Sequence, residues 1–540
     1  MRKTLFAAAM LFGAAACVNI NEELGGDFIA TNQKYDIFTA EFPLDEIFMK
    51  PVDSLSAYSS RRMNIGSVRD EDYGLFKRGC AVTIVPVLDS LDFGKNPVFK
   101  RMKFQVGPDK TSVENTSQQN ILQNVNVYAL TERLDSTMYT SRSELKYDKK
   151  RISKGVPVIN GSDSLTFDFK EEFGKRFLDI TNDDLKDFDK YTEKFPGIYI
   201  DTDDPVGYGG RLNMFKFNII ELSDNGEAYR TNNFAVLYYN SEFDGVRKDT
   251  TLMFYFSPLD FQDLDSLISN GSTPAQFVLN VDSHESDTMA GEASDKVYVE
   301  GGSGLKPVIP AAAVKRHLNE EIARNGQDPS KALISKATIV MPFEFPDDYT
   351  TMFRFPDRLS PTVRISKNGT VSFAGLTDAS VSTENQGDLN RSTCEFAPDI
   401  THHVQEILKQ DDNEDLSNYD IWLLALSKES TTTTDAAAKE QQEYYRQLAY
   451  MSYYNNIYGG YGYGGYGGYG GYGYGNYGGY YNNYSSYDYM LAMMASQSTT
   501  QTTTSYELDK DRYYKAVLNG PEANSAKRPR MKVTYAIPKE

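Results

Sequence analysis

Leu165-Thr-Phe-Asp-Phe169 places Leu165, Phe167 and Phe169 on one side of an extended chain and Thr166 and Asp168 on the other. Period two over a short run marks a half-buried strand. A stripe at helical spacing follows in residues 170–183, with Phe173, Phe177 and Ile180 on one face. A polar loop and a second strand, Gly197-Ile-Tyr-Ile200, complete the unit. The same order recurs later: Cys394-Glu-Phe-Ala-Pro398, a helix Thr401-His-His-Val-Gln-Glu-Ile-Leu-Lys409, an acidic loop, then Tyr419-Asp-Ile-Trp-Leu-Leu-Ala-Leu426. Each copy leads to a further strand, Asn233-Phe-Ala-Val-Leu-Tyr-Tyr239 in the first and Arg530-Met-Lys-Val-Thr-Tyr-Ala-Ile537 in the second. A strand, a helix over one end and returning strands describe a jelly-roll-like β-sandwich. The repetition predicts two such modules, over residues 35–245 and 246–540.

Other segments agree with a mainly β chain. Residues 123–130, 212–222, 251–256 and 276–281 also alternate. Helical pattern is sparse; its other clear instance is residues 311–324, opened by Pro310, with Val314, Leu318 and Ile322 on one stripe.

The N-terminus carries an address. Arg2 and Lys3 precede an apolar run, residues 5–16, too short to span a bilayer, which needs roughly 20 residues. Small residues end on Cys17, as in a bacterial lipobox, where the thiol is acylated and becomes the mature N-terminus. Ala14 stands where leucine is usual, and Ala14-Ala15-Ala16 also fits an ordinary signal-peptidase site, which would leave Cys17 a bare thiol. The polar stretch after Cys17 reads as a tether and favours the lipid anchor. The expected division is a signal peptide over residues 1–16 and a lipidated tether over 17–34. Acyl chains hold a protein on a membrane at about 0.8 kcal/mol per buried methylene.

The formal charge of the 540 residues is −19, and loss of Arg2 and Lys3 with the leader takes it to −21. Phosphate backbones repel such a chain, which argues against nucleic acid. Beyond Cys17, Cys80 and Cys394 remain, with no metal-type spacing. Their separation leaves open a single disulfide or two buried thiols.

Residues 452–505 break the composition. Residues 458–480 hold 13 Gly and 9 Tyr with a single Asn. Glycine at that density supplies no core and carries a large ordering entropy. The expectation is an insertion in the second module, closed by a Thr/Gln/Ser spacer over residues 496–505. Its tyrosines, Tyr458, Tyr461, Tyr463, Tyr466, Tyr469, Tyr472, Tyr474, Tyr477 and Tyr480, offer amphipathic contacts for a protein or a sugar ring. A plain spacer and a segment that orders on a partner are the other two readings.

Candidate chemistry is thin. His402 and His403 are adjacent and do not converge on one ion, since ligand pairs on a helix prefer spacings of three or four. His284 is expected in an acidic loop and His317 on a helix; all four histidines are expected to be structural. Asp201-Thr-Asp-Asp-Pro205 and Asp411-Asp-Asn-Glu-Asp415 cluster oxygens suited to Ca²⁺ but lack the glycine and distal glutamate of an EF-hand; solvated turns are the expected use. Gly301-Gly-Ser-Gly304 is followed by Pro307 rather than a Lys-Ser/Thr pair, so a tight turn is expected in place of a phosphate loop. No catalytic residue, metal or cofactor is assigned.

Several segments, in order, resemble the Bacteroidota lipoproteins of the domain of unknown function 4270 family. They are Gly26-Asp-Phe-Ile-Ala30, Asn64-Ile-Gly-Ser-Val-Arg-Asp70 with Tyr73-Gly74, and Val299-Glu-Gly-Gly-Ser-Gly-Leu305 with residues 307–310. Asp399-Ile-Thr-His-His-Val-Gln405 and Arg530-Met-Lys-Val-Thr-Tyr535 complete the set. The resemblance spans nearly the whole mature chain and implies an outer-membrane lipoprotein with a β-rich body and no stated activity. The functional expectation is a non-catalytic envelope protein, on the periplasmic or cell-surface face, that presents its modules to a protein partner or envelope matrix. The alternative is a glycan-binding lipoprotein working with a surface uptake system.

Overall fold

The computed structural model describes residues 34–539 apart from 60, 88–89, 114–115, 135–138, 223–227, 258–259, 262–275, 368–369, 381–383 and 434–500. Antiparallel sheets dominate, with a few short helices.

The first core is built around one long strand, Lys95–Val113. Its first half pairs with Leu165–Asp168 and Ala235–Phe243, and its second half with Gly209–Lys216. Gly107-Pro108 lies at the change-over, where the register against Met214 and Phe215 shifts. Proline donates no ladder hydrogen bond and glycine adds freedom, so the strand bends there and passes from one sheet to the other. Gln123–Leu130, Ile198–Thr202, Gly74–Val82 and Met63–Asp70 extend one sheet; Val246–Phe256 and Ile84–Pro86 extend the other. Between them the rings of Phe104, Phe167 and Phe256 stack with centroids 4.8 and 4.9 Å apart. The expected helical stripe is a short helix, Glu171–Gly174, running into a 3-10 turn, Lys175–Asp179. It still buries Phe173, Phe177 and Ile180 against this core.

The second core lies between two further sheets. One orders Tyr35–Pro43, Arg530–Pro538, Leu333–Pro342 and Glu395–Phe396; the other orders Phe48–Pro51, Leu305–Ile309, Ile421–Thr433 and Arg358–Lys367. Helices Ala311–Arg324 and Thr401–Lys409 have the expected bounds and add Val314, Leu318, Ile322, Val404 and Ile407 to it.

The repeat is visible in the pairing. In each core the strand before the helix pairs with a long strand that also pairs with the last strand of the unit: Leu165–Asp168 and Ala235–Phe243 on Lys95–Val113, Glu395–Phe396 and Arg530–Pro538 on Leu333–Pro342. The strand after the helix goes to the other sheet. Two β-sandwich-like modules result.

Their composition departs from the expected division at residue 245. That position is the tip of a hairpin, with Asp244 and Gly245 at φ 52° and 78°, and both arms, Ala235–Phe243 and Val246–Phe256, belong to the first core. Val278–His284 also pairs into the first module, on Gly74–Val82. Conversely, Tyr35–Pro43 runs beside Arg530–Pro538, and Phe42, Leu44, Ile47 and Met49 sit in the second core. Residues 501–505, expected as spacer, begin the strand Gln501–Leu508, paired with Ile421–Thr433. Cys80 and Cys394 are both free thiols; the open choice resolves against a disulfide. No helix among the described residues is long and apolar enough to cross a membrane.

Candidate functional site

The two cores meet through charged side chains. Gly74–Val82 and Val278–His284 run side by side, which sets Phe76 opposite His284 and Arg78 opposite Asp282. The next strand, Lys296–Glu300, ends on Glu300, and the turn 301–304 folds back over these side chains. Glu300 accepts hydrogen bonds from Tyr513 Oη at 2.6 Å, from the Leu305 amide at 3.2 Å and from Ser286 Oγ, and lies 3.2 Å from His284 Nδ1. Arg78 donates to Asp282 at 3.1 Å, and Ser303 Oγ donates to the same carboxylate. The Tyr513 ring stacks on Phe76 at 3.8 Å, and Arg78 covers the same Phe76 ring at 4.9 Å.

The Gly-Gly-Ser-Gly run is the predicted turn, and its glycines are required by crowding. Gly302 has φ +57°, and a Cβ on Gly304 would stand 2.4 Å from the Glu300 Cβ. The turn wraps the Lys306 ammonium, which donates to the carbonyls of Gly302 and Gly304 at 3.1 Å and to that of Glu300. Burial lowers its pKa to about 8, so it stays largely charged at neutral pH, with three carbonyl acceptors.

Ser303, His284 and Glu300 hold the spacing of a nucleophile, base and orienting acid: Ser303 Oγ is 3.2 Å from His284 Nε2. Its chemistry is otherwise. Burial opposes a charged imidazole, yet Glu300 and Asp282 flank it and raise its pKa above 6.5. The Ser303 hydroxyl donates to the Asp282 carboxylate rather than to the imidazole. Ser303 and Glu300 are both fully buried. The group is a sealed ion network that joins the modules.

The network makes stability pH-dependent. Burial disfavours ionised Glu300, but His284, Ser286 and Tyr513 outweigh it and lower its pKa from 4.5 to about 2. Its contribution is therefore full above about pH 4.5 and is lost as pH falls towards about 2. The His284 contribution has the opposite sign, full below 6.5 and lost as pH rises through the raised value. Urea midpoints between about pH 6 and pH 3 should fall more steeply for the native protein than for Glu300→Gln; parallel curves would contradict the assignment.

Beside the network lies an open cleft of about 440 Å³. Val68, Val113, Leu212 and Met214 give it apolar lining, and Lys110, Arg354, Arg512 and Lys515 line it with charge. No carboxylate is among its lining residues. The neutralising acids include Asp70, which accepts from Lys515 and lies 3.5 Å from Arg354, and Glu429, which lies 3.1 Å from Lys110 and 3.3 Å from Arg512. Burial lowers the Lys515 pKa to about 8, with Asp70 opposing. Burial lowers that of Lys110 too, and the Arg62 and Arg512 charges add to the effect. Phe353 lines the cleft and is 64% exposed; Tyr349, 65% exposed, stands edge-on to it at 6.2 Å.

Other sequence candidates fall elsewhere. Cys17 and the tyrosines from Tyr458 to Tyr480 lie outside the described residues. His403 bonds the Tyr419 carbonyl at 2.8 Å, and His317 bonds Asp45 at 2.8 Å. His284 ends a buried strand, where a loop was expected. In the first acidic loop, Asp204 and Asp201 lie against Lys77, and Asp203 accepts from Asn124 and Asn126. In the second, Asp412 pairs with Lys315 and Asp415 caps the Ser417 amide. Among the described residues no group of three or more His, Cys, Asp or Glu is placed to hold a metal.

Two segments distant in sequence, Asn64-Ile-Gly-Ser-Val-Arg-Asp70 with Tyr73 and Val299-Glu-Gly-Gly-Ser-Gly-Leu305, converge on this junction. Tyr73 Oη donates to the Val299 and Ala516 carbonyls, and Asn64 donates to Asp511. Sequence reasoning missed Tyr513, Lys515 and Arg62, each of which has a partner hundreds of positions away; the one local signal was a charged residue on each side of a glycine-rich turn. No protein-family model, curated protein or solved structure matches this chain.

Proposed function

We propose that the protein is a non-catalytic, lipid-anchored binding module of the bacterial outer membrane, held by acylated Cys17 and related to the domain of unknown function 4270 lipoproteins. The observation that carries the binding reading is the cleft at the junction of the two cores, where apolar and charged side chains from both modules line one space. Sites of this kind form preferentially where two modules meet. A protein partner or the envelope matrix is the first reading of its occupant. The exposed Phe353 and Tyr349 rings favour the second, a glycan, because an aromatic face stacks on a sugar ring.

Protease treatment of intact cells tests the placement, with Cys17→Ala beside the native protein. Digestion from outside is the expected result for a surface-displayed module, and protection until the outer membrane is opened for a periplasmic one. Cys17→Ala is expected in the soluble fraction; membrane fractionation of that variant sinks the anchor.

A further inference from the structure

The chain is strongly acidic overall, yet its junction cleft is lined by four cations and no carboxylate. Charges of one sign in a low-dielectric cleft focus their field on its contents and favour a counter-charged ligand. The acids that balance them are not among the lining residues: Asp70 pairs with Lys515 and Arg354, and Glu429 with Lys110 and Arg512. Two of the cations are guanidinium forks, suited to a planar carboxylate.

The rest of the cleft is not suited to a bare inorganic ion. About 440 Å³ falls within the roughly 300–1,000 Å³ range of small-molecule sites, and much of the lining is apolar. Phe353 presents a solvent-exposed ring at the cleft, next to Arg354 in sequence. A flat apolar face beside a guanidinium matches a ring that carries a carboxylate. The bounded volume suits one or two such rings better than an extended acidic peptide.

We infer that this cleft binds an acidic sugar unit, with its carboxylate on the Lys110, Arg354, Arg512 and Lys515 side and its ring on Phe353. The inference rests on the binding-module reading and names the ligand class for the same site. It can fail separately, because it is measured on purified protein whereas anchoring is measured on cells.

The test is calorimetric titration of the full chain in detergent with glucuronate, glucose, inorganic phosphate and tetraglutamate. Glucuronate is expected to bind at least tenfold more tightly than the other three and to weaken as salt is raised. Arg354→Gln and Phe353→Ala should each weaken glucuronate at least tenfold, with circular dichroism confirming that they fold. Phe353 is exposed, so that variant keeps the test intact if Arg354→Gln does not fold. Equal or tighter binding of glucose overturns the charge argument. Equal or tighter binding of phosphate overturns the ring argument, and tetraglutamate preference reassigns the cleft to an acidic protein segment. Absence of glucuronate binding, or retention of it in both variants, also overturns the inference.

Discussion

Glu300→Ala is expected to destabilise the protein by about 3–5 kcal/mol, the usual cost of removing one partner from a buried ion pair. The substitution strips the acceptor from Tyr513 Oη, Ser286 Oγ and the Leu305 amide, and leaves the His284 and Lys306 charges buried without it. Each stranded donor keeps its desolvation penalty. Glu300→Gln preserves the shape and one acceptor oxygen and should recover part of the loss. The Tyr513 ring on Phe76 ties the network to the second module, so its loss should also loosen the loop 509–514, read as faster proteolysis there. A thermal or urea midpoint for Glu300→Ala within about 1 kcal/mol of native stability would show that the network contributes little.

Arg62→Ala should cost a similar amount, about 3–5 kcal/mol. Its guanidinium donates to Glu429 at 2.9 Å, to Asp511 at 3.1 Å and to Asp109, so one first-module side chain holds three carboxylates. Glu429 lies on a second-module strand, and Asp511 lies in the loop beyond that strand's partner. Burial raises the Glu429 pKa, but Arg62, Arg512 and Lys110 together bring it down to about 2. Without Arg62 that carboxylate loses its shortest ion pair and becomes easier to protonate. The deficit against native protein should therefore narrow as pH is lowered. Pairing Arg62→Ala with Glu429→Gln should cost less than the sum of the two single changes, because either change alone already removes the contact they share. Strict additivity of the two changes would mean that the contact carries no coupling.

Local features of this chain were legible at the level of single residues. Val125 and Val127, Phe173 and Phe177, and Val314, Leu318 and Ile322 are buried where periods of two and 3.6 place them. The bounds of Gln123–Leu130, Ala311–Arg324 and Thr401–Lys409 follow from those periods and from Pro310. Burial on one face of an element is a property of neighbouring residues, so spacing along the chain reports it. The repeated strand-helix-strand order was legible for the same reason.

Partner choice was not. Tyr35–Pro43 alternates equally well whichever sheet receives it, and nothing near it names Arg530–Pro538 as its neighbour. Period two specifies which face is apolar and is silent on what that face meets. The module boundary therefore moved: hairpin arms on both sides of residue 245 share one core, and the terminal strands share the other. The junction depends on the same long-range pairing. Glu300, His284 and Arg78 come together because Val278–His284 runs beside Gly74–Val82, and Tyr513 and Lys515 arrive from the far end of the chain. Charges separated by hundreds of residues have no shared periodicity to reveal them. Their burial, their pKa shifts and the basic cleft exist once two sheets have closed around them, where a lower dielectric strengthens each interaction that water would screen.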